Sequence, residues 1–227
     1  MATQARTIAI IKQISARGFA TNFYKNVVKV GVDFLIALPV AVLTIPFYVI
    51  VKIAYMMTGD FDSIFYKQER VGENGKIFTM YKIRTMVVDK DGSILAKILE
   101  DEKYRKEWDE LQKLTDDPRI TKVGRFLRHG SLDEIPQFFN ILKGQLSLVG
   151  PRPLVPGELE KHRGVPEIYQ SVRPGITGWW AVSGRSDLLY RKRLELEYYY
   201  VQNFSMKLDL KIVFKTIKVV LKKEGAK

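Results

Sequence analysis

"VGVDFLIALPVAVLTIPFYVIVKIAYMMTG", residues 30–59, decides how the rest of this chain is read. Its centre, residues 34–51, holds no charged side chain. A helix of that length spans about 27 Å, against about 30 Å of hydrocarbon in a bilayer. A spanning helix is the first reading, and two features complicate it. Lys25 and Lys29 precede the stretch while Lys52, Lys67 and Arg70 follow it, so basic flanks draw both ends to the cytoplasmic side. Pro39 and Pro46 lie two turns apart on one helix face, where each removes a backbone hydrogen bond and bends the chain in the same sense. On composition, a kinked span and a re-entrant hairpin that enters and leaves by one leaflet both stay open.

Charge points the same way. The 227 residues carry 37 basic and 25 acidic side chains, a net +12, which suits an anionic partner. Residues 1–32 contribute +5 and residues 203–227 another +5, leaving +2 for the middle. The excess therefore sits in segments that flank or resemble membrane-associated sequence, and a nucleic-acid surface is disfavoured. The basic, acid-free N-terminus reads as an amphipathic surface segment, with a transit peptide as the alternative. There are no cysteines and only two histidines, His129 and His162, which excludes disulfides, thiolate sites and an imidazole cluster for zinc.

Beyond the apolar stretch, two β-rich runs around Asn74-Gly75 predict a hairpin. Residues 93–114 read as one charged surface helix with Trp108, Leu111 and Leu114 on one side. Lys207, Lys211, Lys215, Lys218 and Lys222 draw a stripe on a C-terminal helix, either a solvated face or one turned to anionic headgroups. Several motifs lead nowhere. "GENGK" lacks P-loop spacing, and "DKDG" lacks the remaining ligands of a calcium loop. "DFD" at 60–62 has no nucleotide-binding α/β half before it.

"SLDEIPQ" holds the adjacent carboxylates Asp133 and Glu134. Ser131 with Glu134 fits the S-x-x-E capping box, a purely structural role. Pro136 argues instead that the helix starts nearer itself, with the carboxylates in its first turn, where the helix dipole favours ionised Asp. Arg152 stands between two prolines, Arg173 precedes a Pro-Gly turn, and Arg185 lies in "SGRSD". Together they suit bidentate recognition of a diphosphate. His129, four residues before Asp133, is a candidate base with a structural alternative.

In order, the chain carries "KVGVDFLIALPVAVLTIPF", "YKQERVG", "FTMYKIRTM", "DDPRITKVGRFLR", "SLDEIPQFFNILKGQLSLVGPRP", "VRPGITGWWAVSGR" and "LELEYYYVQNFSMKLDLKI". Over residues 26–223 it closely resembles the bacterial sugar transferases known as monotopic polyprenol-phosphate phosphoglycosyl transferases, in their small form with the catalytic unit alone. The resemblance implies a helix-rich α+β protein at the cytoplasmic face of the bacterial inner membrane, with both termini cytoplasmic. It implies a basic segment at 1–29, a re-entrant helix broken at proline at 30–59, and a catalytic domain with an interfacial helix at 60–227. The family's break is a Ser-Pro pair; here the matching pair is Ile45-Pro46, with Thr44 adjacent. The implied reaction moves a phospho-sugar from a UDP-sugar to undecaprenyl phosphate and releases UMP, with downstream glycosyltransferases as further partners. Asp133 would be the nucleophile, and Glu134 would help hold Mg²⁺. Lys82 and Arg128 from the matched motifs join Arg152, Arg173 and Arg185 as phosphate and uridine contacts. A metal-dependent glycosyltransferase releasing UDP and a non-catalytic membrane scaffold are the alternatives.

Overall fold

The computed structural model describes residues 22–89, 91–111, 114–162, 164–184 and 190–222. A π-helical turn, Tyr24–Val28, runs into α1, Lys29–Leu43, and Thr44 separates this from α2, Ile45–Met57. The hairpin strands β1, Phe65–Val71, and β2, Ile77–Ile83, follow. After them come the helices α3, Ser93–Ile98, α4, Glu102–Leu111, and α5, Lys122–His129. A 3-10 turn, Leu132–Glu134, precedes α6, Gln137–Leu142. The remainder is β3, Ser147–Val149, α7, Glu158–Lys161, α8, Pro166–Tyr169, β4, Gly175–Thr177, α9, Tyr190–Gln202, and α10, Met206–Lys222. These form two compact units. One holds the described residues up to 43 with 67–81 and 136–222, and the other holds 44–66 and 82–135.

The helix-rich α+β character and the hairpin are as expected, with Asn74 and Gly75 both at positive φ in the turn. Pro39 is not a break. It sits inside a continuous α1, on the exposed side, where one lost hydrogen bond is carried by its neighbours. The interruption falls at Thr44, and Pro46 occupies the first turn of α2, where a missing N–H costs nothing. Residues 93–114 are two helices rather than one. The Asp101 carboxylate accepts from the Lys103 N–H at 2.8 Å and so starts a new helix.

In the first unit, Val149, Ile168, Val172, Tyr200, Val201, Phe204, Leu208 and Ile212 make the main core. β3 and β4 pair in parallel, Ser147 opposite Gly175 and Val149 opposite Thr177, a two-stranded sheet that the sequence reading did not foresee. α1 buries one stripe at four-residue steps, Lys29, Asp33, Ala37 and Ala41. Lys29 donates to Asp209 of α10, which also accepts from the Tyr24 hydroxyl at 2.7 Å and the Tyr200 hydroxyl at 2.8 Å. Asp33 accepts from the Leu148 N–H at 3.0 Å. Lys29 is thereby paired with an opposite charge, whereas Asp33 keeps one buried oxygen without a hydrogen-bond partner; Phe34, Leu35, Ile36, Leu38, Val42 and Leu43 remain exposed. The 20 residues Tyr24–Leu43 are long and apolar enough to cross a membrane, with a mean hydropathy of 1.9 over their most apolar 18 residues. α10 buries Leu208 and Ile212 and exposes Met206, Leu210, Phe214 and Ile217; the Lys211 and Lys215 ammoniums lie 5.1 and 4.6 Å from the Trp179 ring centre.

In the second unit, Val51 and Tyr55 of α2 pack with Ile64, Ile83 and Leu127. The Arg84 guanidinium donates to both Asp60 oxygens at 2.9 and 2.8 Å, and also to the Ser63 and Met86 carbonyls. Asp60 of the "DFD" motif is thus spent on an internal arginine.

Candidate active site

The second unit brings together Lys82, Arg128, Asp133 and Glu134. Lys82, near the end of β2, donates to Glu134 Oε1 at 2.8 Å. Arg128, on the last turn of α5, donates through Nε to the Thr85 hydroxyl at 2.9 Å. The carboxylates lie on the 3-10 turn, and its geometry removes the capping-box reading. Ser131 is left-handed, at φ 52° and ψ 24°, and its side chain makes no capping bond. A non-glycine residue held there stores backbone strain of order 1 kcal/mol or more, as functional turns often do. α6 starts only after Pro136, as the proline requires.

The helix-dipole expectation for Asp133 is reversed. Burial pushes its carboxyl above the ordinary value and the Glu134 charge adds to this, while Lys82 and Arg128 oppose it. Because the carboxylates precede α6 in a separate turn, compensation comes from side-chain cations. Among the described residues, no three His, Cys, Asp or Glu side chains gather as a metal cage. An adjacent carboxylate pair suits Mg²⁺, which commonly keeps one or two protein carboxylates and takes its remaining ligands from phosphates and water. Glu134 would hold it.

Arg152 and Arg173 belong to the first unit. Arg152 is exposed between buried Pro151 and Pro153. Its N–H donates to Glu197 Oε1 at 3.1 Å, and its carbonyl accepts from the Tyr169 hydroxyl at 2.9 Å. Both backbone polar groups are therefore gripped by buried side chains, and the guanidinium lies 5.6 Å from the Trp180 ring centre. The close approach of β3 and β4 needs small residues here, since a Cβ on Gly175 would fall 2.1 Å from the Gly150 nitrogen. Arg193 also lies over Trp180, at 4.8 Å, and bonds Glu158. Arg173 is braced by the chain itself, 4.0 Å from Glu73 and bonded to the Lys25 carbonyl. Arg185 lies outside the described residues.

Sequence reasoning missed Tyr169, Trp180, Arg193 and Glu197. Glu197 is 1% exposed, and burial raises its carboxyl to about 7 against the opposing charges of Arg193 and Arg152. The run "RKRLELEYYY" gives no signal that one of its glutamates is buried, because helix position alone does not show what α9 packs against.

Compared with known proteins, residues 24–223 match the family model described as bacterial sugar transferase. The undecaprenyl-phosphate galactose phosphotransferase of Salmonella typhimurium is 44% identical over 193 residues, which are 85% of this chain and 40% of that protein. The exopolysaccharide production protein ExoY of Rhizobium meliloti is 41% identical over 196 residues, 86% of this chain and 85% of that protein. The UDP-glucose:undecaprenyl-phosphate glucose-1-phosphate transferase of Escherichia coli is 36% identical over 193 residues, 82% of this chain and 38% of that protein. The chain thus spans about 40% of the length of several of these relatives and most of ExoY.

Proposed function

The chain belongs to the bacterial sugar transferase family, and from that premise we propose that it transfers a phospho-sugar from a UDP-sugar to a membrane polyprenol phosphate such as undecaprenyl phosphate. The observation that carries the reading is the half-buried Asp133 beside Glu134, with Lys82 bonded to Glu134 and the positive charges of Lys82 and Arg128 acting on Asp133. An Asp133 oxygen attacks the β-phosphorus of the donor, and the bond from that phosphorus to the bridging oxygen breaks with UMP leaving. A phosphate oxygen of the lipid acceptor then attacks the phospho-sugar aspartate, freeing Asp133 and forming a polyprenyl diphosphate sugar. Lys82 and Arg128 offset the negative charge of the attacking carboxylate and the incoming diphosphate. Mg²⁺, when bound through Glu134, supplies screening of the phosphate charge. The exposed apolar faces of α1, α2 and α10 support a membrane-bound protein. The basic residues on both sides of the apolar stretch, Lys25 and Lys29 before it and Lys52, Lys67 and Arg70 after it, are the ground for reading it as re-entrant with both termini cytoplasmic.

The test is mass spectrometry of the full chain incubated with UDP-sugar and Mg²⁺ but no lipid acceptor. The expected result is a phospho-sugar adduct on Asp133 with stoichiometric UMP, absent in Asp133→Asn. Absence of any adduct, with kinetics that require both substrates bound together, would replace the two-step scheme by direct transfer.

A further inference from the structure

Thr85 stands just past the end of β2, is 7% exposed, and is tied to α5 through both its backbone and its side chain. Its carbonyl accepts from the Thr121 N–H at 3.0 Å, where the helix begins. Thr121 caps that start, its hydroxyl accepting from the Gly124 N–H at 2.8 Å. A Cβ on Gly124 would fall 1.9 Å from the Thr85 carbonyl oxygen, so only glycine lets α5 lie this close. At the far end of the helix, the Arg128 Nε–H donates to the Thr85 hydroxyl at 2.9 Å. The strand side is equally fixed. The buried Tyr55 of α2 donates to the Arg84 carbonyl, and the Arg84 guanidinium lies 4.7 Å from the Tyr55 ring centre while both Asp60 oxygens hold it. The backbone that carries the Thr85 hydroxyl is therefore clamped from two directions, and among the described residues that hydroxyl bonds Arg128 alone.

A guanidinium can meet a phosphoryl group side-on, through Nε and one Nη, or end-on, through both Nη groups. Thr85 takes Nε, so the side-on edge of Arg128 is occupied, while no described residue bonds either Nη. What remains is an end-on fork in a fixed plane. Burial raises the Asp133 carboxyl and the Arg128 charge is among those that oppose it, so the fork lies within electrostatic reach of that carboxylate. We propose that Thr85 is a positioning residue: by holding Nε of Arg128 it aims the two Nη groups at the phosphoryl group that passes onto Asp133 and off it again. This rests on the reading that Asp133 is the nucleophile. Arg128 forms no covalent bond and gives up no proton; the bonds made and broken are those of the two displacements, and the fork holds the phosphoryl oxygens through both. An arginine on the α-phosphate would act differently, because that group departs with UMP after the first displacement.

Thr85→Val removes the hydroxyl and keeps the shape of the side chain. In the full chain, adduct formation from UDP-sugar and Mg²⁺ and transfer of that adduct to undecaprenyl phosphate should each slow about 10- to 100-fold, the worth of a hydrogen bond to a charged group. Thr85→Ser should keep both rates near those of the parent, and Thr85→Ala gives the same comparison if Thr85→Val does not fold. On an Arg128→Lys background, which has no Nε, Thr85→Val should slow neither step further. Slowing confined to adduct formation would put the fork on the departing UMP, and slowing that persists in Arg128→Lys would make Thr85 a residue of the fold; either result overturns the proposal. Calorimetry with UDP or UMP and Mg²⁺ involves no transfer. There Thr85→Val should weaken UDP, which has the β-phosphate, about 10-fold and leave UMP unchanged. Equal losses for the two, or no loss for either, overturn the proposal. A parent that forms no adduct and yet shows the UDP-selective loss would count against the aspartate intermediate and leave the Thr85 assignment standing.

Discussion

The turn carrying Asp133 and Glu134 and the loop carrying Arg152 are both short and irregular, yet they are held in different ways. The turn rests on charge: Lys82 bonds Glu134, Arg128 bears on Asp133, and the backbone at Ser131 is left-handed. The loop rests on backbone: two prolines flank Arg152, while Glu197 and Tyr169 hold its N–H and its carbonyl. Under the proposed function, Asp133 has to be ionised in a half-buried position and needs cations beside it, whereas Arg152 is charged at any working pH and needs only to be aimed. The difference teaches that electrostatics tunes the first element and rigidity tunes the second.

The largest effect should come from Asp133→Asn, which lowers UMP release about 1,000-fold or more. It should leave the thermal midpoint unchanged or slightly raised, because a buried carboxylate with a raised pKa is itself a cost. If charge tunes the turn, Lys82→Met should move the ascending limb of the pH–rate profile upward, since Lys82 is what pulls the Asp133 pKa down. A limb that stays in place would show that Lys82 serves Glu134 alone.

Glu197 tests the other element through stability. Its carboxyl stands at about 7 against an ordinary 4.5, so between those values the native chain holds a proton that the unfolded chain has released. Stability should therefore fall as pH rises through that window, by about 3 kcal/mol in all, and be level above it. Glu197→Gln should abolish the fall and melt higher than the parent at pH 8. A parent whose melting point is flat across the window would refute the buried-acid assignment.

Arg152→Ala should lower kcat/KM for the donor about 10- to 100-fold, the worth of one charge-assisted contact. Tyr169→Phe, which frees the Arg152 carbonyl and removes the phenol oxygen from the Arg193 guanidinium, should cost about 1 kcal/mol or less. On an Arg152→Ala background its effect on donor KM should vanish. Persistence of that effect would mean that Tyr169 acts on the fold rather than through Arg152.

By itself the sequence determined the apolar segment, the Asn74-Gly75 hairpin and the carboxylate pair, because each is a local pattern set by hydropathy, turn chemistry or adjacent charge, whereas Lys82 and Arg128 entered only through the resemblance to the family. The start of α6 at Pro136 was equally legible, since a proline dictates its own neighbourhood. Only tertiary structure decided the rest. It showed that α1 passes through Pro39 on its exposed side, that Ser131 leaves the capping role for a left-handed turn, and that β3 finds a parallel partner after a crossover. It also made Glu197 the buried carboxylate behind Arg152, raised Asp133 above its ordinary pKa, and spent Asp60 on Arg84. These outcomes depend on which groups from distant parts of the chain exclude water from one another, and burial of that kind has no period in the sequence.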